Sequence, residues 1–143
     1  MGTIISHSPG ETQAFGEVWG REARSGLVIG LNGELGAGKT QLVKGIARGL
    51  GITARVHSPT FNLVNVYSGG RLKLYHIDLY RLATPTEILS AGLEEYLKPD
   101  GVSVIEWAER IYEAGWPIDA LRKARIDIAN ESERKIVYED FGV

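Results

Sequence analysis

Residues 33–40 read GELGAGKT, set between GLVIGLN (26–32) and QLVKGIARGL (41–50). An apolar run gives way to glycines and a lysine, and these to a run with helical periodicity. The stretch satisfies G-x-x-x-x-G-K-[ST] at Gly33, Gly38, Lys39 and Thr40. That spacing has a physical cause. A chain of phosphates is best surrounded by backbone N–H groups, and only a loop with little side-chain bulk can turn its amides inward around it. Gly33, Gly36 and Gly38 give that freedom. A helix starting near Gly38 adds unpaired amides and a positive dipole end. Lys39 brings a full charge near the β- and γ-phosphates, and the Thr40 hydroxyl can ligate Mg²⁺. A buried strand before and an amphipathic helix after are the context that separates this pattern from a chance glycine-rich turn. Gly33, Gly36, Ala37, Gly38, Lys39, Thr40 and Gln41 therefore form the candidate set for holding a nucleoside triphosphate.

Outward from the loop, the chain reads as alternating strands and helices. Leu42, Val43, Ile46, Ala47 and Leu50 give the helix after the loop its core face, and Gly51 ends it. Upstream, Ser8 is a candidate N-cap, Pro9 a first helical residue and Glu11 the partner in a capping box. Ala14, Phe15, Val18, Trp19 and Ala23 predict one apolar stripe on the helix that follows. MGTIIS (1–6) matches a short myristoylation pattern, and we read it instead as a first β-strand. Downstream, FNLVNVY (61–67) and RLKLYHIDLY (71–80) flank a serine and two glycines and predict an antiparallel hairpin. Thr84, Pro85 and Glu87 repeat the capping logic and open a helix to about Leu97. GVSVIEW (101–107) is another apolar strand, and ARIDIAN and RKIVYED alternate like two closing strands around Glu131 and Ser132. The sum is an α/β fold, P-loop NTPase-like in three layers, with a mixed parallel and antiparallel sheet.

A triphosphate loop requires an acidic residue at the end of a neighbouring apolar strand to hold Mg²⁺, directly or through water. Glu106 and Asp78 qualify. Glu106 ends the apolar run Val102–Ile105, where ligands gather in open α/β sheets, and charge and position favour it as the metal partner. Asp78, at the end of the hairpin's second strand, is left as a residue behind the metal or a water-positioning base. Between loop helix and hairpin lies HSPTF (57–61), where Thr60 offers a hydroxyl that can reach the γ-phosphate or the metal, as switch loops do. Trp107, beside Glu106, is either a platform for a nucleobase or a core tryptophan, the latter being the commoner meaning of such a pattern.

The whole composition narrows the function class. A chain of 143 residues is most economically one domain, 1–143, and an apolar fraction of 43% with 24% charged residues is ordinary for a globular protein. A formal charge of −2 leaves no global attraction to polyanions, so tight tRNA binding by this chain alone is not expected. The absence of cysteine excludes disulfides and thiolate chemistry and fits a reducing compartment. His7, His57 and His76 are too scattered along the chain to suggest a metal cluster. No apolar segment approaches the ~20 residues that span a bilayer, so a cytoplasmic protein without membrane contact is expected.

GELGAGKT, SPTF, HIDLYR and VIEWAER occur in this order, and together they closely resemble the TsaE (YjeE) family, a P-loop ATPase of bacterial tRNA modification. The likeness is strongest from about Leu27 to Arg110. It implies ATP and Mg²⁺ as ligands, Thr40 and Glu106 as metal ligands, and Asp78 as a residue needed for turnover. It also implies action with TsaB and TsaD, TsaD transferring the threonylcarbamoyl group to adenosine 37 of tRNA. The tRNA would then be met only through the complex. From the resemblance too come a nucleotide contact from the N-terminal segment, around Glu11, and one from an arginine of the C-terminal hairpin, Arg134 matching better than Arg125. Three functions use such a site. An ATPase that resets a partner enzyme is the leading expectation; a nucleotide-sensing assembly module with negligible turnover is the second. A small-molecule kinase is the third, and 143 residues leave it little room for a second substrate pocket and lid. No N-K-x-D sequence occurs, which disfavours guanine.

Overall fold

The computed structural model describes residues 2–34, 36–59, 63–82 and 84–143. Its strands are β1 (Gly2–Ser6), β2 (Val28–Gly33), β3 (Val64–Tyr67), β4 (Lys73–Asp78), β5 (Gly101–Glu106), β6 (Leu121–Ile128) and β7 (Arg134–Phe141). The helices are α1 (Pro9–Glu22), α2 (Lys39–Gly49), α3 (Pro85–Ser90), α4 (Glu94–Leu97) and α5 (Glu109–Glu113). The strands form one seven-stranded sheet in the order β1-β7-β6-β2-β5-β4-β3. Its four middle strands, β6, β2, β5 and β4, pair in parallel, while β3 on one side and β7 with β1 on the other pair antiparallel. The mixed sheet expected from the hairpin signals is present.

β5 lies between two parallel neighbours under helices on both faces, and all six of its residues are buried. This is why it reads as an unbroken apolar run. On one face, α1 and α2 cover Ile29, Leu31, Val102, Val104, Ala124 and Ile126. On the other, α3, α4 and α5 bring Ile88, Leu97 and Ile111 onto Val28, Ile77 and Ile105. No helix among the described residues is long and apolar enough to cross a membrane.

Two expectations about helices are corrected. The helix expected from Thr84 to about Leu97 is two short ones, because Gly92 adopts a left-handed conformation, φ +70°, and breaks the backbone hydrogen bonding between them. The predicted stripe on α1 is wrong at Ala14 and Val18, which are exposed, and Phe15, which is only partly covered. The buried face is instead Thr12, Gly16, Trp19 and Gly20, continued by Ala23 beyond the helix. The cause is backbone contact. A Cβ on Gly16 would stand 2.3 Å from the Leu42 carbonyl oxygen, and one on Gly20 would stand 2.2 Å from that of Ile46. Reciprocally, Cβ atoms on Gly45 and Gly49 would meet the carbonyls of Gln13 and Glu17, each at 2.1 Å. Glycines four apart on both helices thus let α1 and α2 touch main chain to main chain. Contact positions on the two helices increase together, so they run parallel with their N-termini at the same end.

Candidate functional site

The glycine-rich loop leaves β2 in the middle of the sheet and enters α2. Gly36 and Gly38 have φ of +82° and +104°, a region that costs other residues Cβ strain, and Gly38 is the α2 N-cap. No side chain among the described residues caps α2, so its first amides are left to an outside acceptor. Above the loop opens a cavity of about 750 Å³, lined by Gly36, Gly38, Lys39, Thr40 and Gln41, and by Ser58, Asp78, Tyr80, Glu106 and Trp107. That volume lies within the range of small-molecule and cofactor sites.

Lys39 is buried, and its Nζ donates to the Gly33 carbonyl at 2.7 Å, 4.0 Å from Glu106 Oε1 and 4.8 Å from the centre of the Trp107 ring. The Thr40 hydroxyl is 3.0 Å from Ser58 Oγ. Asp78 and Glu106 are register partners at the C-terminal ends of β4 and β5, so the two carboxylates sit side by side at the mouth. Burial raises the Asp78 carboxyl above its usual range, opposed by the Tyr80 amide, which donates to its Oδ1 at 2.9 Å, and reinforced by the charge of Glu106. Glu106 is nearly enclosed, with Oε2 2.5 Å from Nε2 of the buried His76. Trp107 takes a left-handed conformation, φ +61°, unusual for a bulky residue. That turn directs the chain out of β5 into α5 and sets the indole on the cavity wall, against Tyr80 at 5.4 Å between ring centres.

The structure brings together most, not all, of the residues singled out from sequence. Ala37 is wholly buried beneath the loop and Gly33 supplies only its carbonyl, so neither lines the cavity. Glu11 does not line it either; its amide donates to Ser8 Oγ, and the N-terminal wall is made by His7, Ser8, Pro9 and Thr12. Arg134 lines the cavity and donates to the carbonyls of Ala37 and Gly36 at 3.1 and 3.4 Å, whereas Arg125 pairs with Asp127 away from it. Thr60 lies outside the described residues, as does Phe61 of the same segment.

Other lining residues gave little signal in the sequence. Glu131 and Ser132 reach the cavity because β7 and β6 lie between β1 and β2, which folds the β6–β7 turn over the loop. His7 Nδ1 is 2.6 Å from Glu133 Oε2 and ties this turn to the N-terminal wall. The parallel α1 and α2 place two helix N-termini beside each other at this rim, a doubled positive dipole end suited to an anion. Arg110 also escaped the sequence reading. Its guanidinium donates to the carbonyls of Leu79, Tyr80 and Leu82, pinning the segment after Asp78.

The residues present fit a magnesium nucleotide. There are uncapped amides and a lysine for phosphates, a hydroxyl and a carboxylate for the metal, and an indole face for a base. Fold and loop together define a three-layer α/β protein of the P-loop NTPase type. The profile of the family described as "Threonylcarbamoyl adenosine biosynthesis protein TsaE" matches residues 6–136, and the chain belongs to that family. Among its relatives is the Bacillus subtilis tRNA threonylcarbamoyladenosine biosynthesis protein TsaE, 42% identical over 94% of this chain and 83% of the relative. The protein of the same name from Treponema pallidum is 49% identical over 75% of this chain and 78% of its own length. Among solved structures, that of Bacillus subtilis YdiB superposes with a TM-score of 0.81 at 36% identity, covering 99% of this chain and 85% of the other.

Proposed function

We propose that this chain binds ATP with Mg²⁺ in the cavity and hydrolyses it slowly, supporting tRNA threonylcarbamoyladenosine formation by TsaD and TsaB over repeated rounds. The observation that carries the reading is Lys39. A buried ammonium resting on the carbonyl of its own loop, with open space and uncapped helix amides beside it, is poised to exchange that carbonyl for a phosphate oxygen.

The α2 amides and Lys39 bind and orient the phosphates, and Trp107 offers its face to the base. The Thr40 hydroxyl, 3.0 Å from Ser58 Oγ, and the Glu106 carboxylate are the groups that would hold the metal. Bound there, Mg²⁺ would supply positive charge to offset that of the phosphoryl groups. Asp78, with its raised pKa and its place beside Glu106, orients the attacking water and accepts its proton as ADP departs. Arg134 steadies the loop through the Gly36 and Ala37 carbonyls. The cytoplasm, where tRNA and ATP meet, is the compartment this function requires.

Steady-state ATPase assays of the lone protein and of its mixture with TsaB and TsaD, run with repeated rounds of tRNA modification, test the reading. Slow turnover alone and coupling to modification in the mixture are expected. Fast hydrolysis indifferent to both partners would count against it, and binding without any turnover would leave the assembly-module function in its place.

A further inference from the structure

Glu106 owes its place to a residue with no part in the chemistry above. His76 lies in β4 on the same face as Leu74 and Asp78, fully buried, with Nε2 2.5 Å from Glu106 Oε2. Its Nδ1 is also buried and has no hydrogen-bond partner among the described residues. A proton on Nδ1 would be a buried donor with nothing to receive it, whereas a bare Nδ1 leaves only a lone pair unpaired. The imidazole is therefore the tautomer with hydrogen on Nε2, and it donates to Glu106. If this position served packing alone, an aliphatic side chain would fill it without the unpaired nitrogen, as Leu74 does two residues earlier on the same face.

We propose that His76 is the positioning residue for the Glu106 carboxylate. By occupying Oε2 it fixes the side chain in one orientation and leaves Oε1, the oxygen nearer Lys39, turned to the metal position. The inference rests on the magnesium-nucleotide reading of the cavity and assigns to this chain a buried support for it, as outer-shell groups orient metal ligands elsewhere.

The test compares His76→Gln, which keeps an N–H donor at the reach of Nε2, with His76→Leu, which removes it at similar volume. Calorimetric titration with a non-hydrolysable ATP analogue, with and without Mg²⁺, should show unchanged metal-free affinity in both variants. The gain in affinity from Mg²⁺ should fall about tenfold or more in His76→Leu and be largely kept in His76→Gln. Should His76→Leu not fold, His76→Asn carries the same test, since its carboxamide stops short of Oε2. Independently of any nucleotide, ¹⁵N chemical shifts of the free protein should show His76 protonated on Nε2 and bare on Nδ1. An intact Mg²⁺ effect in a folded His76→Leu or His76→Asn protein, or a proton on Nδ1, overturns the inference alone. Equal losses in all variants, extending to metal-free binding, would reduce His76 to packing. A parent chain that binds no nucleotide brings down the reading of the cavity itself.

Discussion

The seam between α1 and α2 and the mouth of the cavity lie within a few residues of each other and are built on opposite terms. In the seam glycines let backbones touch, so stability comes from close contact. At the mouth, a carboxylate and an ammonium are buried and a tryptophan sits at positive φ. Such groups cost stability and persist because the surroundings hold them. The difference teaches that the ligand-binding end draws on the rigidity of the helix pair. Substitutions in the seam should destabilise, and some at the mouth should do the reverse.

Gly45→Val tests the seam most severely. Even a Cβ there meets Gln13 O at 2.1 Å, so the helices must part, at a cost of about 3 kcal/mol or more. Urea unfolding measures it; stability close to the parent would show that the seam yields. Gly10→Ala is the control on the other helix of the pair, α1, where the nearest atom to a new Cβ is Ser8 Oγ at 3.7 Å, and it should be neutral or stabilise by up to ~1 kcal/mol.

At the mouth, Lys39→Ala should weaken nucleotide binding by ~10–100-fold, since the loop loses its charge-assisted contacts. Thr40→Ala should instead lose mainly the Mg²⁺-dependent part. Titration with ADP and ATP, with and without Mg²⁺, separates them, and wild-type affinity in the lysine variant would sink the assignment of the loop.

Smaller and opposite in sign are two aspartates. The folded state holds the Asp78 proton more tightly than the unfolded state does, so stability from this group is present at low pH and declines as pH rises through the raised pKa. Asp78→Asn should therefore raise Tm at pH 7, with the advantage gone below the ordinary value of 3.8, while turnover falls. Asp140 is the converse. It makes two hydrogen bonds at 2.7 and 2.9 Å to Arg122, which lies over Trp19 and Tyr138, and Arg122 holds its pKa down. Asp140→Asn should cost ~0.5–1 kcal/mol at pH 7, a difference that closes as pH falls through that lowered pKa. Melting curves across pH for both variants check the signs; parallel profiles would contradict the contrast between the two carboxylates.

The sequence carried the parts of this molecule that depend on neighbours along the chain. Pro9 and Pro85 mark helix starts, the glycines of the loop mark the turn into α2, and the alternation around Ser68–Gly70 marks the hairpin. Asp78 and Glu106 were legible as candidates because strand ends in such sheets face the ligand. Less legible were features made by approach across the fold. Gly16, Gly20, Gly45 and Gly49 carry no apolar side chain, so the periodicity that reveals a core face was carried on α1 by Ala14 and Val18, which are exposed. His7, Ser8, Thr12, Glu131 and Ser132 meet the loop only through the order β1-β7-β6-β2. The pairing of His76 with Glu106 likewise depends on two strands 30 residues apart in the chain.

The parallel helix pair also fixes a dimension. With main chain resting on main chain, the spacing between the N-terminal wall and the glycine-rich loop does not depend on any side-chain rotamer. One side of the cavity is thus a fixed jaw. Whatever adjustment a ligand demands falls on the other side, on Ser58 and on the β6–β7 turn, which the His7–Glu133 contact ties across the gap. Clamping in this protein is one-sided, and its tolerance is set by four hydrogens on four glycines.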